Sequence, residues 1–293
     1  MNNTIKKILI DSGVCEESSI EPFHEKVRDR QDISVLICNR SGVIFLSTSE
    51  HMDFFHYSQK KDLQYWSAEN RSQALLACRE DTYRKFDQFK NIITNKRWID
   101  IGTGTGGILD LLSPLSLTTT AVEPQQGSRE MLEKLGYAVY SSIDEVQSSD
   151  FEVVTLFHVF EHFTHPIEML GKIKDKMASG GIIVLEVPHA KDFLISFFNL
   201  EAFKSFTFWS EHLILHTRES LRIFLEIAGF SNISISGHQR YPLANHLHWL
   251  AKAQPGGHLI WDHLRTPKLD NAYSDMLNRL DQTDTLIAIA SKP

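Results

Sequence analysis

Apolar positions along this chain cluster in short runs whose spacing changes twice. The first 65 residues are mostly polar and weakly patterned. Two apolar runs stand out there, at 33–38 and 43–46, separated by Asn39-Arg40-Ser41-Gly42. Two strands and a turn of this kind predict a hairpin. Over 68–94, Ala74, Leu75, Leu76, Tyr83, Phe86 and Phe89 recur at roughly helical spacing, which predicts a helix. From residue 97 the rhythm becomes strand and helix in alternation. Strands are expected at 98–101, 117–122, 138–140, 151–157 and 182–187, with helices at 108–115, 128–135 and 166–177. The run at 151–157 is almost continuously apolar, as suits a strand buried on both faces. Such alternation predicts a parallel sheet with helices on both sides. A Phe-rich stretch at 189–215 interrupts it. A helix at 218–228 and a strand at 232–236 follow, then a second, mainly helical insertion at 240–282 and a last strand at 285–290.

Composition narrows the classes. The chain has 293 residues, 42% apolar and 23% charged, an ordinary globular balance. Its formal net charge of −7 argues against a role centred on nucleic-acid phosphates. Cys15, Cys38 and Cys78 lie far apart with no CxxC pair, so neither a disulfide framework nor a cysteine zinc site is expected. No apolar run approaches 18 residues, and 1–11 lacks the apolar core of a signal peptide. The expectation is a cytoplasmic protein without a membrane span. Two units are expected: 1–66, a cap region with the hairpin, and 67–293, the α/β domain with its two insertions.

The strongest chemical signal is Asp100-Ile101-Gly102-Thr103-Gly104-Thr105-Gly106-Gly107, at a strand-to-helix turn. Glycines let the backbone turn tightly and a ligand approach closely. Glu123 ends the next strand, where a carboxylate can accept hydrogen bonds from ribose hydroxyls. The spacing by itself is ambiguous, because both GxGxxG and GxGxG are satisfied. Asp100 separates the two. A carboxylate there opposes a dinucleotide's diphosphate but suits a ligand bearing an amino group or a sulfonium.

With that loop, Glu123, the segment Phe157-His158-Val159-Phe160-Glu161-His162-Phe163-Thr164-His165-Pro166, the segment from Gly180 to Pro188, and Glu211-His212-Leu213, the chain resembles the class I S-adenosylmethionine (SAM)-dependent methyltransferases over about residues 80 to 235. The resemblance implies a doubly wound, mostly parallel, seven-stranded α/β sheet with an antiparallel last strand. It implies SAM as cofactor, with Asp100, Gly102, Thr103, Gly104 and Gly106 at its methionine part, Glu123 at the ribose, Ser142 and Ile143 flanking adenine, and Phe157 nearby. The 157–166 segment and the Glu211-His212 pair are similar to the branch holding ubiquinone O-methyltransferases and bacterial sugar C-methyltransferases. In the latter, a Glu-His pair in this region lies beside the substrate as acid and base. Their cysteine-rich zinc lobe has no counterpart here beyond Cys38 near a similar hairpin.

A sugar, nucleotide-sugar or glycan of polysaccharide biosynthesis is therefore the expected acceptor, with a small molecule or glycan as the only partner class. A homodimer is allowed. A hydroxyl acceptor needs a base, and histidine serves near neutral pH. His212 is the first candidate, with Glu211 orienting it and His158 and His162 next. His158-Val159-Phe160-Glu161-His162 also spells HxxEH, a metallopeptidase pattern. In ubiquinone O-methyltransferases the matching positions hold a divalent metal, with a carboxylate where His158 stands. A third reading has Glu161 and His162 fixing the loop, and no metal ligand is assigned. Asp81-Thr82-Tyr83-Arg84 forms an exposed charged face or closes over the cofactor. Aromatic and polar residues at 192–216 and 239–261 suit a sugar ring, lid packing or an interface. Two other functions stay open: an NAD(P)-dependent sugar oxidoreductase and a non-catalytic partner of the same fold.

Overall fold

The computed structural model describes residues 3–52 and 68–293. In chain order its strands are β1 (Ile20–His24), β2 (Val35–Cys38), β3 (Ile44–Leu46), β4 (Arg97–Ile101), β5 (Thr118–Val122), β6 (Ala138–Tyr140), β7 (Phe151–Phe157), β8 (Met177–Pro188), β9 (Ile214–Leu215), β10 (Ser231–His238) and β11 (Thr285–Ser291). Seven of them form one sheet in the order β6-β5-β4-β7-β8-β11-β10. The first five in that order pair in parallel, and β11 runs antiparallel to both neighbours. This is the doubly wound architecture expected, including its reversed last strand.

Local chemistry explains the elements. In β7 five of seven residues are buried, so the strand has helices on both faces. The helix Gln126–Lys134 stops where Gly136 takes a φ of 91°, a conformation that costs glycine little. Pro166 opens the helix Pro166–Lys176, Glu168 sits in its first turn and Lys174 and Lys176 in its last, matching the helix dipole. Trp98, Phe89, Leu109 and Leu132 fill one side of the sheet, and Leu156, Leu170, Ile173 and Phe224 the other.

Four differences from the pattern are informative. The helix expected over 68–94 is two helices, Arg71–Ala77 and Arg79–Ile93, with Cys78 between them out of helical geometry. Strand β8 begins at Met177 and runs through Ser179-Gly180-Gly181, because sheet pairing overrides the local glycine signal. The helix Thr4–Asp11, capped by Asn3 and buried through Ile5 and Leu9, has too short an apolar face to stand out in sequence. Strands β1 and β9 extend the expected hairpin into a four-stranded antiparallel sheet, β1-β2-β3-β9. Strand β9 comes from the 189–215 insertion, so that insertion is hydrogen-bonded to the N-terminal region. The boundary expected at 66/67 lies outside the described residues. Among the described residues, no helix is long and apolar enough to cross a membrane.

Candidate active site

The carboxyl ends of β4, β5, β7 and β8 form one rim, where ligands bind in open α/β sheets. On the β4–β5 side, Asp100 is buried and accepts a hydrogen bond from the Thr155 hydroxyl at 2.5 Å, which in turn accepts one from the Trp98 indole at 2.9 Å. Burial pushes the Asp100 carboxyl up to about 6, against the pull of the Thr155 hydroxyl and the Lys85 charge. Glu123 accepts the backbone N–H of Gly104 at 2.7 Å and of Gln125 at 2.9 Å. Burial pushes its carboxyl up to about 7. The glycine loop turns with Gly102 at φ 73° and Gly106 at φ 74°. A Cβ on Gly102 would lie 2.3 Å from the Val159 side chain, so the loop is closed down on the segment that follows β7.

These residues fit a SAM molecule on two observations. The Gln125 side-chain nitrogen is buried beside Glu123 and makes no hydrogen bond among the described residues. Each Glu123 oxygen accepts one backbone N–H and keeps a lone pair for a further donor. Ser142 and Ile143 lie just past β6, on the same rim, with Ile143 buried. Thr103 is buried within the loop. Phe157 ends β7, its ring 5.3 Å from Phe89 and under the Lys85 ammonium.

The β7–β8 side carries the ionic chemistry. Glu186, buried at the end of β8, receives both terminal nitrogens of Arg84 at 2.7 Å each. Arg84 also holds Asp81, and Lys85 pairs with Asp81 at 2.7 Å. Burial opposes ionisation of Glu186, but Lys85, His158 and Arg84 outweigh it and hold the carboxyl well below its usual range. The Asp81–Arg84 segment is therefore a tertiary anchor at the site rather than an exposed charged face.

His158 sits between two carboxylates, 3.2 Å from Glu186 and 3.4 Å from Glu161, and 2.8 Å from Arg240. Its φ is 57°, a rare conformation for a non-glycine residue and one that concentrates at functional sites. Burial and Arg240 oppose its protonation; Glu161 and Glu186 outweigh them and raise its pKa. Glu161 is fully buried, and neither oxygen has a hydrogen bond of good geometry among the described residues. His162 and His212 approach it at 3.9 and 4.0 Å. His212 is pushed down to about 3, first by burial and then by the His158, Arg28 and Arg240 charges, so it is neutral near pH 7. Trp209 packs edge-on to both His162 and His212.

All four histidine and glutamate candidates from the sequence thus meet here. Glu211 lies 4.0 Å from His162, and the Glu161 carboxylate lies 4.0 Å from His212. Glu161, His162 and His212 bring one ligand atom each within 4.8 Å of one another, a set that can hold a metal ion. Sequence reasoning gave Glu161 only a loop-fixing or metal role, placed Arg240 only among the substrate-side residues of the second insertion, and missed the role of Glu186. Spacing could not have revealed them, because 161, 186, 212 and 240 are joined only by the sheet.

A family model described as a methyltransferase domain matches residues 68–235. No curated protein sequence matches the chain. Among solved structures, a SAM-dependent methyltransferase from Archaeoglobus fulgidus is 20% identical, with a TM-score of 0.51 over 78% of this chain and 97% of that one. One from Thermotoga maritima is 16% identical, with a TM-score of 0.50 over 76% and 94%. At these identities the likeness speaks for the fold.

Proposed function

The chain belongs to the methyltransferase domain family, and from that premise we propose that it transfers the methyl group of SAM to a sugar, nucleotide-sugar or glycan acceptor. The observation that supports this reading is the close approach of Val159 to Gly102 of the glycine loop, since Val159 is two residues from Glu161 in the Glu161–His162–His212 cluster. Asp100 and the glycine loop take the methionine part, Glu123 the ribose, and Ser142 and Ile143 the adenine edge. SAM supplies an electrophilic methyl group on its sulfonium. Everything else falls to the chain. It must orient the acceptor, a contribution of up to about 7–11 kcal/mol in favourable cases, and remove its proton.

His212 is assigned the base. Its imidazole is neutral near pH 7, and bound substrate together with the Glu161 carboxylate 4.0 Å away would have to offset the burial and the His158, Arg28 and Arg240 charges that hold it down for it to take up the acceptor's proton. Asp100 weighs against the NAD(P) alternative, since its carboxylate would oppose a diphosphate.

A second reading of the same cluster is supported by Glu161, whose buried oxygens lack good hydrogen bonds. Glu161, His162 and His212 would together hold a divalent cation, with the neutral imidazoles as ligands. Such an ion would polarise an acceptor oxygen and lower its pKa. Dialysis against a chelator separates the two readings. Activity that survives it belongs to His212 as base, and activity restored only by added Mg²⁺ or Zn²⁺ belongs to the ion.

The first experiment is a thermal-shift titration with SAM, S-adenosylhomocysteine, NAD and NADP, with Asp100→Ala as control. A ligand bound only by the folded state stabilises by about 2.7 kcal/mol at 100 times its Kd. A shift with SAM or its product that the variant loses is expected. A shift with NAD or NADP alone would overturn the assignment.

A further inference from the structure

The N-terminal sheet brings together two thiols that the sequence keeps apart. The helix Thr4–Asp11 ends at Ser12, and Gly13 with a φ of 77° turns the chain back, so that the Cys15 N–H bonds the Leu9 carbonyl at 2.9 Å. Cys38 ends β2, its N–H on the Val43 carbonyl at 3.0 Å. Asn39 donates its N–H to the Ser19 carbonyl at 2.8 Å, which draws the 14–19 segment alongside the hairpin. The Cys38 sulfur lies 4.0 Å from the carbonyl oxygen of Val14, the residue before Cys15. Each thiol is a hydrogen-bonding partner of the other. Both are buried, and both are free. Cysteines can be bridged without backbone movement only when their side chains already meet.

Their surroundings are polar. A buried thiol that only fills space sits among apolar groups and is inert. Here the Ser19 hydroxyl lies 3.1 Å from the Cys38 sulfur, and the Ser41 hydroxyl 3.9 Å from that of Cys15. Burial pushes the Cys15 thiol up to about 12, and the hydrogen bond and charge of Cys38 add to the rise. Burial also opposes ionisation of Cys38, but hydrogen bonds from Ser19, Ser41 and Cys15 outweigh it and bring that thiol down to about 7. One sulfur is thus the nucleophile and the other its protonated neighbour. The burial is shallow. Glu16 and Arg40, one and two residues from the cysteines, are exposed and pair with each other at 2.8 Å. A small oxidant such as hydrogen peroxide suits thiols placed just below the surface.

We propose that Cys15 and Cys38 are a redox-active pair, which hydrogen peroxide converts to an intrachain disulfide. The Cys38 thiolate attacks one peroxide oxygen, the O–O bond breaks and hydroxide leaves, giving a sulfenic acid on Cys38. The Cys15 sulfur then attacks the Cys38 sulfur. The S–S bond forms, the S–O bond breaks, and the hydroxyl leaves as water with the Cys15 proton. The proton first lost by Cys38 turns the released hydroxide into water. In all, the two thiols lose two electrons and one peroxide becomes two waters. A dithiol reverses the step by exchange. The bridge ties the segment after the Thr4–Asp11 helix to β2, in the sheet that β9 also joins. It stands independently of which acceptor is methylated.

The test is peptide mass mapping of the full chain after hydrogen peroxide treatment under native conditions, with the remaining thiols alkylated. A linked peptide pair containing Cys15 and Cys38 is expected, lost after dithiothreitol, with Cys78 recovered alkylated. In Cys15→Ser, dimedone should label Cys38 as its sulfenic acid. In Cys38→Ser, Cys15 should stay an alkylatable thiol at the same peroxide dose. Near-ultraviolet circular dichroism checks that each variant is folded, and the wild-type map depends on neither. Recovery of both cysteines as free thiols at a peroxide excess that oxidises free glutathione overturns the inference. So does a disulfide that involves Cys78, or a Cys15–Cys38 link that forms only in denaturant.

Discussion

The two halves of the rim are built in opposite ways. The half proposed for the cofactor runs from Asp100 to Gln125, one strand-loop-helix-strand stretch in which Glu123 is held by backbone N–H groups, while Asp100 and Gly102 meet only Thr155 and Val159 from outside it. The half proposed for the acceptor gathers Asp81, His158, Glu161, Glu186, His212 and Arg240 from separate segments and brings them together through side-chain charge contacts. A local stretch can keep its chemistry with few outside supports. A dispersed cluster must bury charge to hold its members together, so each member depends strongly on the others.

Removing a support from the acceptor half should have the largest effect. Arg84→Ala leaves Glu186 buried without its bidentate partner and is expected to cost about 3–5 kcal/mol, read by chemical denaturation. If the loss is small, Lys85 and His158 alone hold Glu186, and the acceptor half is less interdependent than its geometry implies. A Glu186→Gln change in the same chain should recover part of the loss.

His212→Ala comes next. It should lower turnover by about 10²-fold or more while leaving the SAM-induced thermal shift unchanged, because His212 belongs to the acceptor half alone. Wild-type turnover would remove it from the mechanism.

The junction between the halves gives a smaller effect. Gly102→Ala puts a Cβ into a left-handed conformation and against Val159, costing about 1–3 kcal/mol. It should weaken SAM binding as well. Val159→Ala in the same chain should restore the part due to the contact and leave the part due to backbone strain. Full additivity of the two changes would mean that the halves do not communicate there.

Least in size is the pH response. Burial raises Asp100 and Glu123 to about 6 and 7, above the usual carboxyl values near 4 of an unfolded chain. The folded state therefore holds protons that the unfolded state has released, and these groups lower stability as pH rises from about 4 to 7. SAM is cationic at its sulfonium and favours the ionised carboxylates, so its thermal shift should grow several-fold over the same window. Asp100→Asn with Glu123→Gln should abolish that growth.

Much of this protein can be read from one-dimensional pattern. Strand 151–157, the glycine loop, Glu123 and the antiparallel last strand each rest on local periodicity, on turn chemistry or on a resemblance carried by contiguous motifs. The sequence by itself determined the strands of the sheet and the position of the loop, because hydrophobic alternation and tight turns are short-range signals, while the four histidine and glutamate candidates came from the resemblance carried by contiguous motifs. Only the tertiary structure decided that the Glu161 carboxylate lies 4.0 Å from His212, that Arg84 secures Glu186 and that β9 joins the N-terminal sheet. Those features depend on which segments the sheet brings within a few ångströms. Burial and charge pairing at that range are set by the packed fold and leave no fixed spacing along the chain.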